Sequence, residues 1–305
     1  MEDNHLDRRK FIQLAGLGVG TVFASGLGFW PKLLSNNKAF AAEPGSDFFF
    51  LQLSDTHWGF EGAKINPEAK VTLKKTIQTI NSLDLKPDFV VFTGDLIHTT
   101  DDDQERRKRL KEFKLIVQDL KVKNVKFLPG EHDAAVDQGQ AYREIFGEPY
   151  YTFNHKGVNF IAIDNVSDRG GNVGEKQLGW LKTVLSKLSK DAPIVILTHR
   201  PLFDLMPDWD WATKDGKKVI DLLMPYQNVV VFYGHIHQEH HHMTDHIAHH
   251  SAKGLMFPLP APGSVPKKAP VPWDPAHPFA GLGFRSVEDK DKKATTIKEW
   301  PVLKG

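Results

Sequence analysis

Five short motifs rich in aspartate and histidine each follow a hydrophobic stretch of the chain. They are Asp55-Thr56-His57, Gly94-Asp95, Gly130-Glu131-His132-Asp133, Thr198-His199 and Gly234-His235-Ile236-His237. Any one of them alone is typical of an ordinary turn. Together they would crowd like charges and unpaired polar groups at one place, which is costly unless cations lie between them. Because the chain has no cysteine, a transition-metal site here must use imidazole and carboxylate ligands.

The segments between these motifs predict a layered α/β domain, because short β-rich runs alternate with longer helical patterns. We expect strands at 48–54, 89–93, 125–128, 194–198 and 229–233, and helices at 67–83, 102–120, 174–188 and 217–224. All five motifs directly follow predicted strands. The active-site loops of an α/β sheet gather at the carboxyl ends of its strands, so the motifs are expected to meet there.

Two further features bear on the architecture. Segments 151–154 and 158–164 flank the turn His155-Lys156-Gly157 and predict an antiparallel hairpin, and therefore a second sheet. After Gln238 the chain becomes rich in histidine and then, over 258–278, in proline, with two closing strands expected at 283–286 and 295–300. We interpret 238–305 as strands and loops that cover a sheet edge. The prediction is one domain over 42–305, with its motif-bearing core at 48–237.

The order of the five motifs resembles that of the calcineurin-like metallophosphoesterases, and the resemblance runs over roughly 48–237. It implies an α/β fold, a four-layer α-β-β-α sandwich of two mixed β-sheets flanked by helices. It also implies hydrolysis of a small phosphate-ester substrate, a phosphodiester or a monoester, by a hydroxide that bridges two metal ions. Cations about 3.5–4 Å apart clamp the phosphoryl oxygens in such centres.

The resemblance assigns a role to each motif residue. The first metal would be held by Asp55, His57 and His237, and Asp95 would bridge to the second. The second metal would be held by Glu131, His199 and His235. His132 would face the substrate, stabilising its charge or protonating the departing oxygen, and Asp133 would orient His132 by accepting its other ring N–H.

Glu131 departs from the family pattern, which has Asn at this position. Glutamate can still ligate, but it leaves the centre one unit less positive than Asn would. We therefore hypothesise two divalent or mixed-valence metal ions, with Fe or Mn preferred over Zn, and a phosphodiester or another low-charge ester as substrate. The alternative is an exported, non-catalytic metal-binding or metal-sensing protein of the same fold.

Other polar side chains near the motifs carry less weight. His98 follows the Gly94-Asp95 motif, and the acidic run 101–103 after it is better explained as a helix cap. Arg200 could contact a phosphate or form a salt bridge.

Three further features leave alternatives open. Trp209 and Trp211 could stack on a nucleobase or fasten their loop to the sandwich. The histidines of segment 240–250 could line the active-site rim, form a second metal site or serve the structure, and in a strand His240 and His242 would share one face. The segment 258–278 could recruit a partner or wrap over the domain as a flap.

The charge balance excludes a general attraction to polyanions. The chain has 39 basic and 38 acidic side chains, so no specific nucleic-acid partner is predicted.

The first 41 residues have the pattern of an export signal. Asp7-Arg8-Arg9-Lys10-Phe11-Ile12 precedes the apolar stretch 14–30, and Ala39-Phe40-Ala41 offers small residues for a signal peptidase. This resembles a twin-arginine (Tat) signal, which implies the Tat translocase as a partner during export and a periplasmic or secreted protein. The apolar stretch is shorter than the roughly 20 residues of a membrane span, so no permanent membrane anchor is expected. Retention of the signal as an anchor is the alternative.

Cell fractionation tests this prediction. We expect the mature chain to begin after Ala41 and to appear in the periplasmic or culture fraction, because the signal is removed after translocation. Uncleaved chain that stays in membranes after a carbonate wash would contradict it.

Overall fold

The computed structural model of this chain describes residues 48–84, 86–290 and 294–302. The predicted export signal lies outside these residues. Within the described ranges, no helix combines the length and the apolar character that crossing a membrane requires.

Eleven strands and six helices form the described part of the chain. The strands are β1 (Phe48–Leu53), β2 (Phe89–Thr93), β3 (Val125–Leu128), β4 (Tyr151–His155), β5 (Val158–Ala162), β6 (Ile194–Leu197), β7 (Val229–Tyr233), β8 (His240–Thr244), β9 (Ile247–Ser251), β10 (Gly283–Lys290) and β11 (Ala294–Pro301). The helices are α1 (Ala69–Asn81), α2 (Asp103–Val117), α3 (Glu131–Ala134), α4 (Gln140–Phe146), α5 (Glu175–Leu185) and α6 (Gly216–Leu223), with a 3-10 turn at Pro207–Trp209.

The strands form two mixed sheets. The first has the order β11-β10-β1-β2-β3, in which β1, β2 and β3 are parallel and β10 runs antiparallel to β1. The second has the order β4-β5-β6-β7-β9-β8, with β4 and β8 as antiparallel edges on a parallel centre. The hairpin expected from the His155-Lys156-Gly157 turn is the β4–β5 pair, so the prediction of a second sheet is confirmed.

The two sheets pack face to face over a core of aromatic rings. Phe50 of the first sheet stacks on Phe89 with centroids 4.9 Å apart, and it meets Phe160 and Phe232 of the second sheet edge-on at 5.7 and 5.8 Å. Each such pair stabilises the fold by about 0.5–1.5 kcal/mol beyond the burial of its surface.

Helices cover the outer faces of both sheets. One apolar cluster joins α1 and α2 to the first sheet, and another joins α5 and α6 to the second. The layers therefore run helix, sheet, sheet, helix, which confirms the predicted four-layer sandwich.

The helix ends differ from the predicted ones by a few residues. The acidic run before α2 acts as the expected cap, because the Asp102 carboxylate accepts the N–H groups of Gln104 and Glu105, each at 2.9 Å. Short helices α3 and α4 were not predicted, since each is too short to show a helical period.

The strands after Gln238 join both sheets. The histidine-rich segment forms the β8–β9 hairpin, in which β9 pairs with β7, while β10 pairs with β1. The hairpin was not predicted as such, because histidine is a weak signal for a strand and its turn at Asp245 and His246 has no glycine.

Candidate metal centre

The five motifs lie at the carboxyl ends of β1, β2, β3, β6 and β7, as expected. Backbone hydrogen bonds tie neighbouring strand ends together within each sheet. Asp55 donates its N–H to Gly94 O at 3.0 Å, and Gly234 donates to His199 O at 2.9 Å. Within each sheet, the main chain therefore sets the relative positions of the motif residues.

Several motif residues adopt a left-handed backbone that non-glycine residues rarely use. The φ angles are 55° at Asp55, 38° at His57, 49° at Asp95, 66° at His235 and 54° at His237. Each such residue costs roughly 1 kcal/mol relative to an ordinary conformation. Strain of this kind persists only where the surrounding structure enforces it, and it concentrates at functional sites.

Two glycines allow the motif loops to approach each other closely. A Cβ added to Gly94 would lie 2.3 Å from His199 Nδ1, and one added to Gly130 would lie 2.1 Å from the Asp95 N–H nitrogen. Since real Cβ contacts are longer than this, neither position accepts a side chain without displacing a motif residue.

Four buried side chains form a first group of donor atoms, all within 4.8 Å of one another: Asp55, His57, Asp95 and His237. His57 Nε2 is 3.1 Å from His237 Nε2, and His237 Nε2 is 3.3 Å from Asp55 Oδ1. This is the set that the resemblance assigned to the first metal.

Glu131, His199 and His235 form a second group. Glu131 Oε2 is 2.9 Å from His199 Nε2, and its Oε1 is 2.8 Å from His235 Nδ1. Asp95 Oδ2 lies 3.5 Å from both His57 Nε2 and His199 Nε2, so this carboxylate stands between the groups. The structure therefore brings together all seven residues predicted to hold metals.

The ring orientations fit a pair of cations. His199 and His237 donate their Nδ1–H to the carbonyls of Thr93 and Phe257, at 2.7 and 2.6 Å. In the neutral rings the Nε2 lone pairs then point into the centre, as in metal sites whose ligands are oriented by outer hydrogen bonds.

Three buried atoms that could ligate a metal have no hydrogen-bond partner among the described residues: His199 Nε2, His235 Nδ1 and Glu131 Oε2. His199 Nε2 lies 2.9 Å from Glu131 Oε2, and in the neutral ring each of these atoms presents a lone pair to the other. A proton or a metal cation must lie between them, because unpaired buried polar atoms are costly.

The pKa values of two histidines also indicate that the centre favours positive charge. Burial disfavours a charged His199 ring, but attraction to Asp95 and Glu131 raises its pKa well above the usual value. The pKa of His237 is likewise raised, chiefly by Asp55 against the effect of burial. These shifts favour positive charge on both rings, in the positions that cations would take.

His132 lies at the edge of the centre and is partly exposed. Its Nδ1 accepts the N–H of Thr99 at 3.1 Å, so the proton of the neutral ring is on Nε2. That Nε2 lies 4.0 Å from Asp95 Oδ2. The ring can therefore donate a proton toward the space above the centre.

The role predicted for Asp133 is wrong. Its carboxylate does not accept from the His132 ring but from three backbone N–H groups, those of Leu96, Ile97 and Gly130, at 3.0, 2.9 and 2.7 Å. Successive side chains on a helix point in different directions, so a neighbour in sequence is poorly placed to orient His132. Asp133 instead fastens the loop that carries Asp95 to the loop that carries Glu131.

His98 joins this edge of the centre. Its ring centroid is 5.1 Å from that of His132 and 5.6 Å from that of His57. Burial, and then the charge of His132, lower the pKa of His98 to about 4, so the ring is neutral. Its position in the same loop as Asp95 was the only signal in the sequence.

The loop after β6 carries Arg200, Trp209 and Trp211, and it contacts the metal centre at His235. Arg200 is buried and pairs with Asp210 through both its side chain and its carbonyl. The same carbonyl accepts the Nε2–H of His235 at 3.0 Å. Both tryptophans are buried in an apolar cluster with Tyr233 and Ile236. They therefore fasten their loop and are not available to stack on a nucleobase.

Histidines of β8 and β9 form cross-strand pairs that include no motif residue. His241 and His250 approach with their Nδ1 atoms 2.6 Å apart, and Phe203 stacks on His242 at 3.8 Å. In the described ranges, every group of three or more metal-competent ligands includes motif residues of the dinuclear centre. The alternative of a second metal site in this hairpin therefore has no support.

Known proteins resemble this chain over its motif-bearing part. The sequence model of the family described as calcineurin-like phosphoesterase matches residues 50–239. A probable glycerophosphodiester phosphodiesterase, GpdQ, of Arcobacter nitrofigilis is 28% identical over 205 residues, which cover 62% of this chain and 71% of the relative. The human serine/threonine-protein phosphatase CPPED1 is 24% identical over 232 residues, 66% of this chain and 74% of the relative.

Solved structures share the fold. A purple acid phosphatase, PPD1, from yellow lupin seeds aligns with a TM-score of 0.62 at 14% identity, covering 86% of this chain and 52% of the lupin chain. A dimetal phosphatase from Danio rerio aligns with a TM-score of 0.54 at 14% identity, covering 86% of this chain and all of the other.

Replacing Asp133 by Asn tests its positioning role. The amide would present a donor to backbone N–H groups that need acceptors, so we expect Asp133→Asn to lower the free energy of unfolding by about 2 kcal/mol. Metal content should fall with it, because the two loops lose their connection. Urea denaturation and elemental analysis measure both. The exposed Asp204→Asn is the matched control, and equal behaviour of the two variants would contradict the assignment.

Metal binding should release protons from the ligand histidines. The raised pKa values of His199 and His237 favour protonated rings, and ligation removes these protons. We therefore expect metal affinity to rise with pH through the range in which these rings titrate and to fall as the pH is lowered. Calorimetric titration with Mn²⁺ in buffers of different ionisation enthalpy measures the release. An affinity independent of pH would rule this out.

Proposed function

This chain belongs to the calcineurin-like phosphoesterase family, and we propose that it is an exported enzyme that hydrolyses small phosphate esters at a two-metal centre. The family and the site together make it a metal-dependent phosphoric ester hydrolase. The observation that carries the proposal is the meeting of two ligand groups at Asp95, with buried lone pairs aimed at the space between them.

Seven side chains would hold the metals. One cation would take Asp55, His57 and His237, the other Glu131, His199 and His235, and Asp95 would contact both. When bound, such a pair of cations polarises the phosphate and activates water for attack. The three carboxylates favour Fe or Mn, with Zn as the alternative, since harder oxygen ligands suit those metals and a trivalent ion would offset the charge of Glu131.

The remaining chemistry falls to His132. A leaving alkoxide needs a proton, and the Nε2–H of His132 points toward the space over Asp95. The backbone N–H of His132 also donates to Asp95 Oδ1 at 2.9 Å, which fixes the helix α3 start against the bridging position. Neutral His98 packs nearby, so it adds no charge that would compete for that proton.

We propose a phosphodiester or another low-charge ester as the preferred substrate. Glu131 makes the centre one unit less positive than Asn would, which weakens attraction to a dianion. The names of the relatives include a glycerophosphodiester phosphodiesterase, a cyclic nucleotide phosphodiesterase and a protein phosphatase. These names span diesters and monoesters and therefore favour phosphate-ester hydrolysis as the shared chemistry.

Export is proposed from the sequence of residues 1–41 alone. The twin-arginine motif and the small residues at 39–41 support passage through the Tat translocase to the periplasm or the medium. Such proteins cross folded, so the metals would be bound before export.

Turnover by the metal-loaded protein tests the enzymatic function. We expect hydrolysis of a chromogenic bis-phosphodiester and its monoester, loss with a chelator and recovery on adding Mn²⁺. Asp95→Ala should lose metal and activity together. His132→Ala should keep its metal but lose roughly 100-fold in kcat, with a smaller loss for good leaving groups. Exposed His277→Ala is the matched control. Full metal occupancy without turnover of either ester would favour the non-catalytic metal-binding alternative.

A further inference from the structure

Three of the ligand histidines donate an outer ring N–H to a backbone carbonyl, and one of the three is turned the opposite way. His199 and His237 donate from Nδ1, so their Nε2 atoms face the centre. His235 donates from Nε2 to Asp210 O at 3.0 Å, and its Nδ1 lies 2.8 Å from Glu131 Oε1. His235 would therefore ligate through Nδ1, because the carbonyl of Asp210 holds the ring proton on the other nitrogen.

The reversed orientation matters because the His235 ring has a competing tautomer. If its proton moved from Nε2 to Nδ1, the ring would donate that proton to Glu131 across the same 2.8 Å. A hydrogen bond to a carboxylate is favourable, and this one would occupy two atoms that the second metal needs. A carbonyl held firmly against Nε2 keeps the proton on the outer side of the ring.

The carbonyl of Asp210 lies at the tip of a tight loop. Asp210 has a left-handed backbone, with a φ of 62°, directly after the 3-10 turn Pro207–Trp209. Trp211 donates its N–H to Met206 O at 3.1 Å, which closes the loop behind the tip. Within the part of the chain that the structure describes, the hydrogen bonds to the Asp210 carbonyl come from side chains.

Arg200 holds that carbonyl in place. Its Nη2 group donates to Asp210 O and lies 2.5 Å from Asp210 Oδ1, so one nitrogen bonds to both groups. The Arg200 side chain is 7% exposed, whereas that of Asp210 is 70% exposed. An ion pair with an exposed partner contributes little to stability. Orientation of the carbonyl is therefore the better explanation for the buried guanidinium.

Arg200 is itself fixed by its neighbours. Its backbone carbonyl accepts the side-chain N–H of Asn165 at 2.9 Å, and its own N–H donates to Asn165 Oδ1 at 3.3 Å. Gly171 leaves space for the guanidinium, since an added Cβ would lie 2.8 Å from Arg200 Nη1. The backbone N–H of His199 also donates to Asn165 Oδ1, at 3.3 Å. The guanidinium is thus anchored beside a second ligand of the same group.

We propose that Arg200 is a positioning residue of the second metal site. Through the carbonyl of Asp210, it holds His235 in the tautomer that ligates from Nδ1. The inference rests on the proposed function and deepens it. Without this contact, the ring proton of His235 can move to Nδ1, where it opposes the second metal and leaves the first ligand group intact.

Stepwise metal binding tests this inference without requiring turnover. In the full chain titrated with Mn²⁺, Arg200→Met should weaken the binding of one of two ions by roughly ten- to hundred-fold and leave the other unchanged. Arg200→Lys should recover most of the loss, because a single nitrogen can bond to both acceptors. Calorimetry gives the two affinities. Electron paramagnetic resonance follows the replacement of a coupled Mn²⁺ pair by a single Mn²⁺.

Arg106→Met is the matched control. Arg106 is also a buried arginine that bonds to a carboxylate and a backbone carbonyl, those of Asp137 and Thr100. Its variant should lose stability to urea as Arg200→Met does, but it should keep both Mn²⁺ affinities.

A second variant keeps the test decisive if Arg200→Met does not fold. Asp210→Asn retains the carbonyl and the left-handed backbone, which asparagine adopts readily, but it loses the ion pair with Arg200. It should weaken the binding of the same single ion.

The inference is overturned if Arg200→Met binds both ions like the parent protein, or if it and Arg106→Met lose them alike. Unchanged Mn²⁺ binding by Asp210→Asn, or no recovery with Arg200→Lys, would also overturn it. Two bound ions without turnover, one of them still dependent on Arg200, would refute the enzymatic function and support this inference.

Discussion

The structure depends on the burial of carboxylates and imidazole lone pairs around a small volume at one edge of two sheets. Asp95 Oδ2 lies 3.5 Å from a ring nitrogen in each ligand group, and His199 faces Glu131 at 2.9 Å. Such an arrangement is unfavourable by itself, because buried acceptors facing each other have lost water and gained no partner. Cations turn the same contacts into ligand bonds. Metal binding would therefore stabilise the folded chain at this site.

The backbone mainly holds the two ligand groups in place. Left-handed residues at Asp55, Asp95 and His235 are each unfavourable, and strand-to-strand hydrogen bonds between the motif loops enforce them. Asp133 contributes by accepting N–H groups from two of these loops. The aromatic core between the sheets fixes the strands themselves. A rigid frame of this kind keeps ligand positions from relaxing apart when the like charges repel.

Hydrogen bonds link the last metal motif to the segment that follows β9. His237 donates its Nδ1–H to Phe257 O at 2.6 Å, and the side chain of Gln238 donates to the carbonyls of Leu259 and Pro260. These partners lie 20 to 22 residues apart in the chain and meet only because the chain folds back toward the centre.

The sequence by itself determined the central strands and the motif residues that the structure brings together. The bounds of β2, β3 and β7 agree with the predicted ones, because buried apolar runs followed by Gly, Asp and His leave little choice of element. The carboxyl ends of parallel strands share an edge, so motifs that follow them must meet. The sequence did not determine the partners of Asp133 or the pairing of the β8–β9 histidines. Those contacts depend on the direction in which side chains point and on loops that return from far along the chain, and only the folded chain sets them.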